Sequence, residues 1–357
     1  MVPIYSQVVS FLSKYIIRKL IMIFFDRKNI YTKLFYFVLL FLPWQHVGGS
    51  VEQGPKLTVV LVVDQLAYHY FLKLRSNFKL GFKKLLQEGV VYTKALHPHS
   101  TPETTTGHLG LSTGCYPKDH GGVTNQWIDQ TGKKIRFEED TAPTAMVIPN
   151  NQQKSIGKSP CHVMVDNLSD QFLQYTTPQS STSVFALSTK AHPVVAVAGK
   201  MGKAIWFDEE RGLFVSSKKY FDALPSWVTE FNKKKMCAYA DYTWVPYYRL
   251  TGQEYNYPYI RNYSFAGSME SFINKSAKTI KNMKYPFSFL IKTPVMNTIV
   301  LDLAKTCINH HLDTQTNNRM LLWVSLSQLD LLTHLFGPDS LEAIDTIYHL
   351  DKQINDF

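Results

Sequence analysis

Residues 57–63 read Leu-Thr-Val-Val-Leu-Val-Val and run straight into Asp64. A continuous β-branched, apolar run without polar alternation fits a strand covered on both faces, as in a parallel sheet flanked by helices. A second run of this kind, "MLLWVSLS" at 320–327, ends near Asp330. Elsewhere the apolar spacing is helical: "FKLGFKKLLQEGV" stops at Gly89, "AKTIKNM" covers 277–283, "IVLDLAKTCINHHL" covers 299–312 and "SLEAIDTIYHLDKQINDF" covers 340–357. "VVYTKAL" at 90–96, "SVFALS" at 183–188 and "PVVAVAG" at 193–199 read as further strands. Strands alternating with helices predict an α/β fold with a mainly parallel central sheet flanked by helices. Residues 205–290 are richer in Trp, Tyr, Pro and Lys and poorer in periodicity, and read as an insertion beside that core.

The net charge of +10 over 357 residues is unevenly placed. Half of it lies before residue 34, where Lys14, Arg18, Lys19, Arg27, Lys28 and Lys33 face only Asp26. The remainder is too dilute for a nucleic-acid-binding face, so no nucleic-acid partner is expected. Residues 1–49 read as a signal or anchor segment. "RKNIYTK" is basic, "LFYFVLLFL" at 34–42 is apolar, and "HVGGS" offers small residues for cleavage near Gly49. The apolar run is shorter than the ~20 residues of a membrane span. The expectation is export to a periplasmic or extracellular space, by a leader starting near Met22 or with an uncleaved segment as membrane tether. The rest, 50–357, reads as one catalytic domain. Cys115, Cys161, Cys237 and Cys307 are widely spaced without a C-x-x-C pair, and free, buried thiols are expected, Cys115 among them.

In open α/β sheets, ligands bind beyond the carboxyl ends of the strands. Asp64 and Asp330 follow two such ends, where a carboxylate either caps the next helix or serves a site. Asp330 and His334 in "DLLTH" share a helix face at i,i+4. They form either a surface ion pair or an oxygen and a nitrogen ligand for zinc. The rings of His310 and His311 cannot point the same way on a helix, and read as surface. Thr104, Thr105 and Thr106 precede Gly107 and His108. Threonines at a helix start either cap it or place a hydroxyl for metal-assisted attack beside N–H groups that receive a phosphate.

Four stretches in order carry a family resemblance: "VVLVVDQL", "GFKKLLQEGVVYTKAL", "TTTGHLGLSTGCYPKDHGGVTNQWID" and "SLSQLDLLTHLFGP". The chain resembles the alkaline phosphatase superfamily, specifically single-chain bacterial alkaline phosphatases that share a fold with type I phosphodiesterases and nucleotide pyrophosphatases. The resemblance implies hydrolysis of small phosphate esters at a two-zinc site through a phosphothreonine. It implies Thr104 as nucleophile and metal ligand, Asp64 as a ligand at the first strand end, and Asp330 and His334 as ligands of the other zinc. Asn125 matches an asparagine that holds a phosphoryl oxygen, and Lys190 matches a lysine gripping the spare oxygens of monoesters. His192 stands where the family has arginine. Arginine is always charged and bidentate, histidine is not, so monoester preference is weakened and a phosphodiesterase is the alternative. Thr105 and Thr106 are then packing and capping residues, and His108 and His120 brace the loop. "CYPKD" at 115–119 starts like the sulfatase nucleophile motif but lacks its arginine.

The family also has an Asp-His pair soon after the D-x-x-x-H block and a later histidine. No such segment follows "HLDKQINDF". The expectation is an N-terminal part of an enzyme, with three metal ligands missing. Such a fragment is inactive by itself, and a non-catalytic binding module is the remaining alternative.

Overall fold

A computed structural model describes residues 54–97, 99–148, 156–174, 181–235, 242, 244–249, 252–255, 287, 290–312 and 318–357. Residues 1–49, read as signal or anchor, lie outside the described residues, as do Cys237 and the helix expected at 277–283. No helix among the described residues is long and apolar enough to cross a membrane. Residues 55–357 form one compact unit.

The main sheet has six strands: β1 (Leu57–Val63), β5 (Val147–Ile148), β7 (Thr182–Ser188), β8 (Lys203–Asp208), β9 (Leu213–Ser217) and β10 (Arg319–Leu326). Their order is β1-β10-β7-β8-β9-β5. β1, β10, β7 and β8 run parallel, β9 runs antiparallel to β8, and the short β5 pairs antiparallel with β9. Two small pairs stand apart: β2 (Gln126–Ile128) with β3 (Lys134–Arg136), and β4 (Glu139–Asp140) with β6 (Gly157–Lys158). The helices are α1 (Tyr68–Leu74), α2 (Gly81–Glu88), α3 (Thr104–Thr113), α4 (Pro117–His120), α5 (Leu168–Gln174), α6 (Ala191–Ala198), α7 (Ser226–Lys235), α8 (Val295–His311), α9 (Gln328–Phe336) and α10 (Leu341–Asp356).

The apolar strand runs are explained by burial on both faces. Met320, Leu322 and Val324 join Phe185, Leu187, Ile205 and Phe207 in a core with side chains of α1, α2, α7, α8 and α10. The alternate residues Leu321, Trp323, Val184, Ala186 and Trp206 join Leu109 of α3 and the valines of α6 in a second core. The period of two along each strand thus serves two apolar layers, and polar alternation disappears.

α10 closes the first core. Asp351, buried, accepts the backbone N–H groups of Lys79 (2.9 Å), Leu80 (3.1 Å) and Phe82 (2.7 Å), and so caps α2 from the far end of the chain. Gly81 is required at that contact, because a Cβ there would lie 2.7 Å from the Asn355 nitrogen.

Four expectations are corrected. "PVVAVAG" lies in helix α6, not a strand: Pro193 fits the first turn of a helix, and burial all round erases the amphipathic signal. "VVYTKAL" forms no strand; Val90, Tyr92 and Leu96 are exposed and the segment pairs with no described strand. β8 and β9 belong to the main sheet and α7 packs on the first core, so residues 205–217 and 226–235 are part of the core rather than of an insertion beside it. His311 is not a surface residue: its ring packs 4.4 Å from Phe185 and 5.8 Å from Trp227, while His310 is exposed. Of the three described thiols, all free, Cys307 is buried as expected, but Cys115 is only half-buried and Cys161 is exposed.

Candidate active site

The carboxyl ends of three parallel neighbours, β1, β10 and β7, deliver the candidate residues to one edge of the sheet. β1 leads into Asp64, whose N–H continues the ladder to the Leu326 carbonyl at 3.0 Å. Asp64 is 8% exposed, and the next residue, Gln65, has a φ of 66°. A non-glycine residue in that region marks a backbone held by its surroundings. Ser327 Oγ donates to Asp64 Oδ2 at 3.0 Å, tying the ends of β1 and β10. Gln328 Nε2 donates to Thr189 Oγ1 at 2.7 Å, tying β10 to β7.

α3 starts at Thr104 and is entered through Glu103 in extended conformation. Thr106 closes a capping box with Glu103: the Glu103 N–H donates to Thr106 Oγ1 at 3.1 Å, and the Glu103 side chain accepts the Thr106 N–H. Thr105 is fully buried, with its hydroxyl unpartnered among the described residues. The Thr104 hydroxyl, half-buried, also has no hydrogen-bond partner among them. Three adjacent threonines therefore differ sharply: one fills space, one caps, and Thr104 alone presents a hydroxyl free for other work.

Asn125 sits on this first turn. Its Oδ1 accepts the Thr105 N–H at 2.9 Å, which leaves Nδ2 as the donor end. His108, one turn along α3, bridges inward. Its Nδ1 lies 2.8 Å from the Thr104 carbonyl, an acceptor only, so Nδ1 carries the proton. Its Nε2 meets Ser325 Oγ at 2.9 Å and lies 3.7 Å from Asp64 Oδ1. The imidazole thereby links the start of α3 to the ends of β10 and β1. His120 is a loop brace too: its Nδ1 accepts the Gly122 N–H at 3.2 Å.

From β7 comes Lys190, directly before α6. Its Nζ lies 2.5 Å from Asp330 Oδ2. The other oxygen of Asp330 faces His334 Nε2 at 3.3 Å. Burial first, and then the Lys190 charge, hold the His192 imidazole well below its usual 6.5. Its Nε2 is occluded and unpartnered among the described residues. Its surroundings therefore disfavour a positive charge on His192.

The donor chemistry fits zinc in part. Ligands about 2.0–2.1 Å from a tetrahedral zinc lie about 3.3 Å from each other. Asp330 Oδ1 and His334 Nε2 already have that separation. Asp64 brings a second carboxylate beside the Thr104 turn. Among the described residues, however, no group of three or more His, Cys, Asp or Glu side chains is placed to hold a metal ion. Each pair supplies at most two of the donors that a tetrahedral zinc takes. Sequence reasoning named the residues brought together here, but it missed Glu103 and Ser327, whose polar side chains carry no motif of their own.

The family model for type I phosphodiesterase/nucleotide pyrophosphatase matches residues 58–357. The chain is 31% identical over 311 residues to the alkaline phosphatase PhoV of Synechococcus elongatus, covering 85% of this chain and 55% of that protein. It is 29% identical over 310 residues to the alkaline phosphatase PafA of Elizabethkingia meningoseptica, covering 85% and 56%. The crystal structure of wild-type PafA superposes with a TM-score of 0.75 at 27% identity, over 85% of this chain and 58% of that one. A PafA variant with one threonine changed to serine and an asparagine, a lysine and an arginine changed to alanine superposes at 0.74 and 26% identity, over 85% and 59%. The chain spans little more than half the length of these relatives.

Proposed function

The chain belongs to the type I phosphodiesterase/nucleotide pyrophosphatase family, and on that premise we propose that it carries the nucleophile half of a zinc-dependent phosphate-ester hydrolase. The observation that carries this reading is the division of labour at Thr104–Thr106. Only Thr104 keeps a hydroxyl clear of packing and capping, on the turn that also holds Asn125. Spacing supports it. The threonine and asparagine altered in the PafA variant are as far apart in sequence as Thr104 and Asn125, and its lysine and arginine as far apart as Lys190 and His192.

In this reading Thr104 Oγ attacks phosphorus in line. The bond to the ester oxygen breaks, and the alcohol departs with a proton. The phosphothreonine is then cleaved by water, returning the hydroxyl and releasing phosphate. Asn125 Nδ2 and the first N–H groups of α3 receive the non-bridging oxygens, aided by the positive helix end. Lys190 supplies the fixed positive charge. Asp64 with Thr104, and Asp330 with His334, would hold zinc, which when bound supplies Lewis acidity that favours the threonine alkoxide and the leaving oxygen. His108 holds the Thr104 carbonyl and so the rotation of the nucleophile's turn.

A second reading, phosphodiester rather than monoester hydrolysis, is favoured by His192. With the charged form of that ring disfavoured, Lys190 is left without the second cation the family places two residues on, which suits a singly charged diester better than a dianionic monoester. The test is trapping of labelled phosphothreonine from monoester and diester substrates with zinc present. Label at Thr104, lost in Thr104→Ala, supports the reading. A wild-type protein that takes no label even with the missing metal ligands supplied by a relative's C-terminal part returns the chain to the class of binding folds. Export, and a tether through residues 1–49, belong to the same proposal and rest on the sequence pattern.

A further inference from the structure

We propose that Glu103 is a positioning residue whose carboxylate clamps Asn125 onto the nucleophile turn. The inference rests on the reading of Thr104 and Asn125 as the phosphate-facing pair. Helix caps are ordinarily Ser, Thr, Asp or Asn, whose short side chains suffice to reach the second or third N–H. Glutamate is longer than that task needs. Here the extra length is used: Glu103 Oε2 accepts the backbone N–H of Asn125 at 2.5 Å, while the same carboxylate accepts the Thr106 N–H.

The return contact comes from the other side. Asn125 Oδ1 accepts the Thr105 N–H at 2.9 Å. Glu103 thus grips the backbone of Asn125 while Asn125 grips that of Thr105, and the two bonds close a ring around Thr104. Hydrogen bonds to an ionised carboxylate are the stronger kind. The loop has little room to shift otherwise: a Cβ on Gly122 would lie 2.2 Å from Leu109 Cδ1 and 3.0 Å from Thr105 Cγ2. Asn125 O also accepts the Phe137 N–H at 3.0 Å, so the clamp is backed by a buried ring. With Oδ1 occupied and the backbone held, the Nδ2 donor is the part of Asn125 left to meet a ligand. A carboxylate this close to an anion site costs electrostatic energy, which two N–H donors and the helix end offset.

Two substitutions separate reach from charge. Glu103→Asp keeps the charge and a capping oxygen but is one methylene short. Glu103→Gln keeps the length and loses the charge. Amide hydrogen exchange and binding of inorganic phosphate, with zinc present, are measured on the full chain. In Glu103→Asp, Asn125 N–H should exchange at least about tenfold faster, while Gly107 and His108 stay within about twofold, and phosphate affinity should fall about tenfold. Glu103→Gln should lie nearer the wild type on both. Unchanged Asn125 exchange in Glu103→Asp, equal acceleration along the whole first turn, or faster Asn125 exchange with unchanged phosphate affinity each overturns the clamp. A wild type that binds no phosphate overturns the functional reading instead, and the exchange pattern then decides the clamp alone.

Discussion

Lys190 Nζ stands 2.5 Å from Asp330 Oδ2, joining the end of β7 to the helix after β10 across the site. Both side chains are mostly buried, at 19% and 14% exposure. Removing one partner leaves a poorly solvated charge, so Lys190→Met and Asp330→Asn should each destabilise the fold by about 2 kcal/mol. The double variant should be less unstable than their sum, with a coupling of about 1 kcal/mol in urea titrations. Strict additivity would mean that the pair is not coupled.

The three threonines should respond differently. Thr104→Ala should leave stability within about 0.5 kcal/mol and abolish phosphothreonine formation. Thr106→Ala removes the capping box and should cost about 1 kcal/mol. Thr105→Val replaces an unpartnered buried hydroxyl and should be neutral or stabilising. Label that survives in Thr104→Ala, or equal loss of label in all three, would remove Thr104 from its role.

Two histidines make stability depend on pH. Burial lowers His192 well below 6.5, and burial with His310 beside it lowers His311 to about 4. Between the folded and unfolded pKa values the unfolded chain binds more protons. Stability is therefore full above about pH 6.5 and falls as the pH drops, with the His311 share lost by about pH 4. His311→Phe keeps a ring against Phe185 and Trp227 and removes the titration. Relative to wild type it should gain stability at pH 4 over pH 7 in parallel urea melts. A pH-independent difference would show that His311 is not the group responsible.

Asp351 should be among the costliest single losses. Asp351→Ala strands the N–H groups of Lys79, Leu80 and Phe82, and about 3 kcal/mol should follow. Asp351→Asn keeps an acceptor and should cost about 1 kcal/mol. Calorimetric melting that places the two variants together would refute the cap.

Much of the parallel core was legible because its strands are covered from both faces, fully in β10 and partly in the end strand β1, so both read as unbroken apolar runs. The same burial hid α6: a helix surrounded by core loses its polar face, and its valines then read as strand. "VVYTKAL" failed in the opposite way, because a β-prone segment becomes a strand only where a neighbour offers its edge. At the site, Asp64, Thr104, Asn125, Lys190, Asp330 and His334 were named through the family resemblance, residue by residue, without any knowledge of who touches whom.

Sequence alone determined the α/β alternation and supplied the candidate site residues, since both are written in local pattern. Tertiary structure decided the rest. It decided that Lys190 grips Asp330 from 140 positions away, that Glu103 reaches Asn125, and that His192 sits where its charged form is disfavoured. These depend on which strand ends lie side by side and on what is excluded from water between them, and neither quantity is a property of a short stretch of chain.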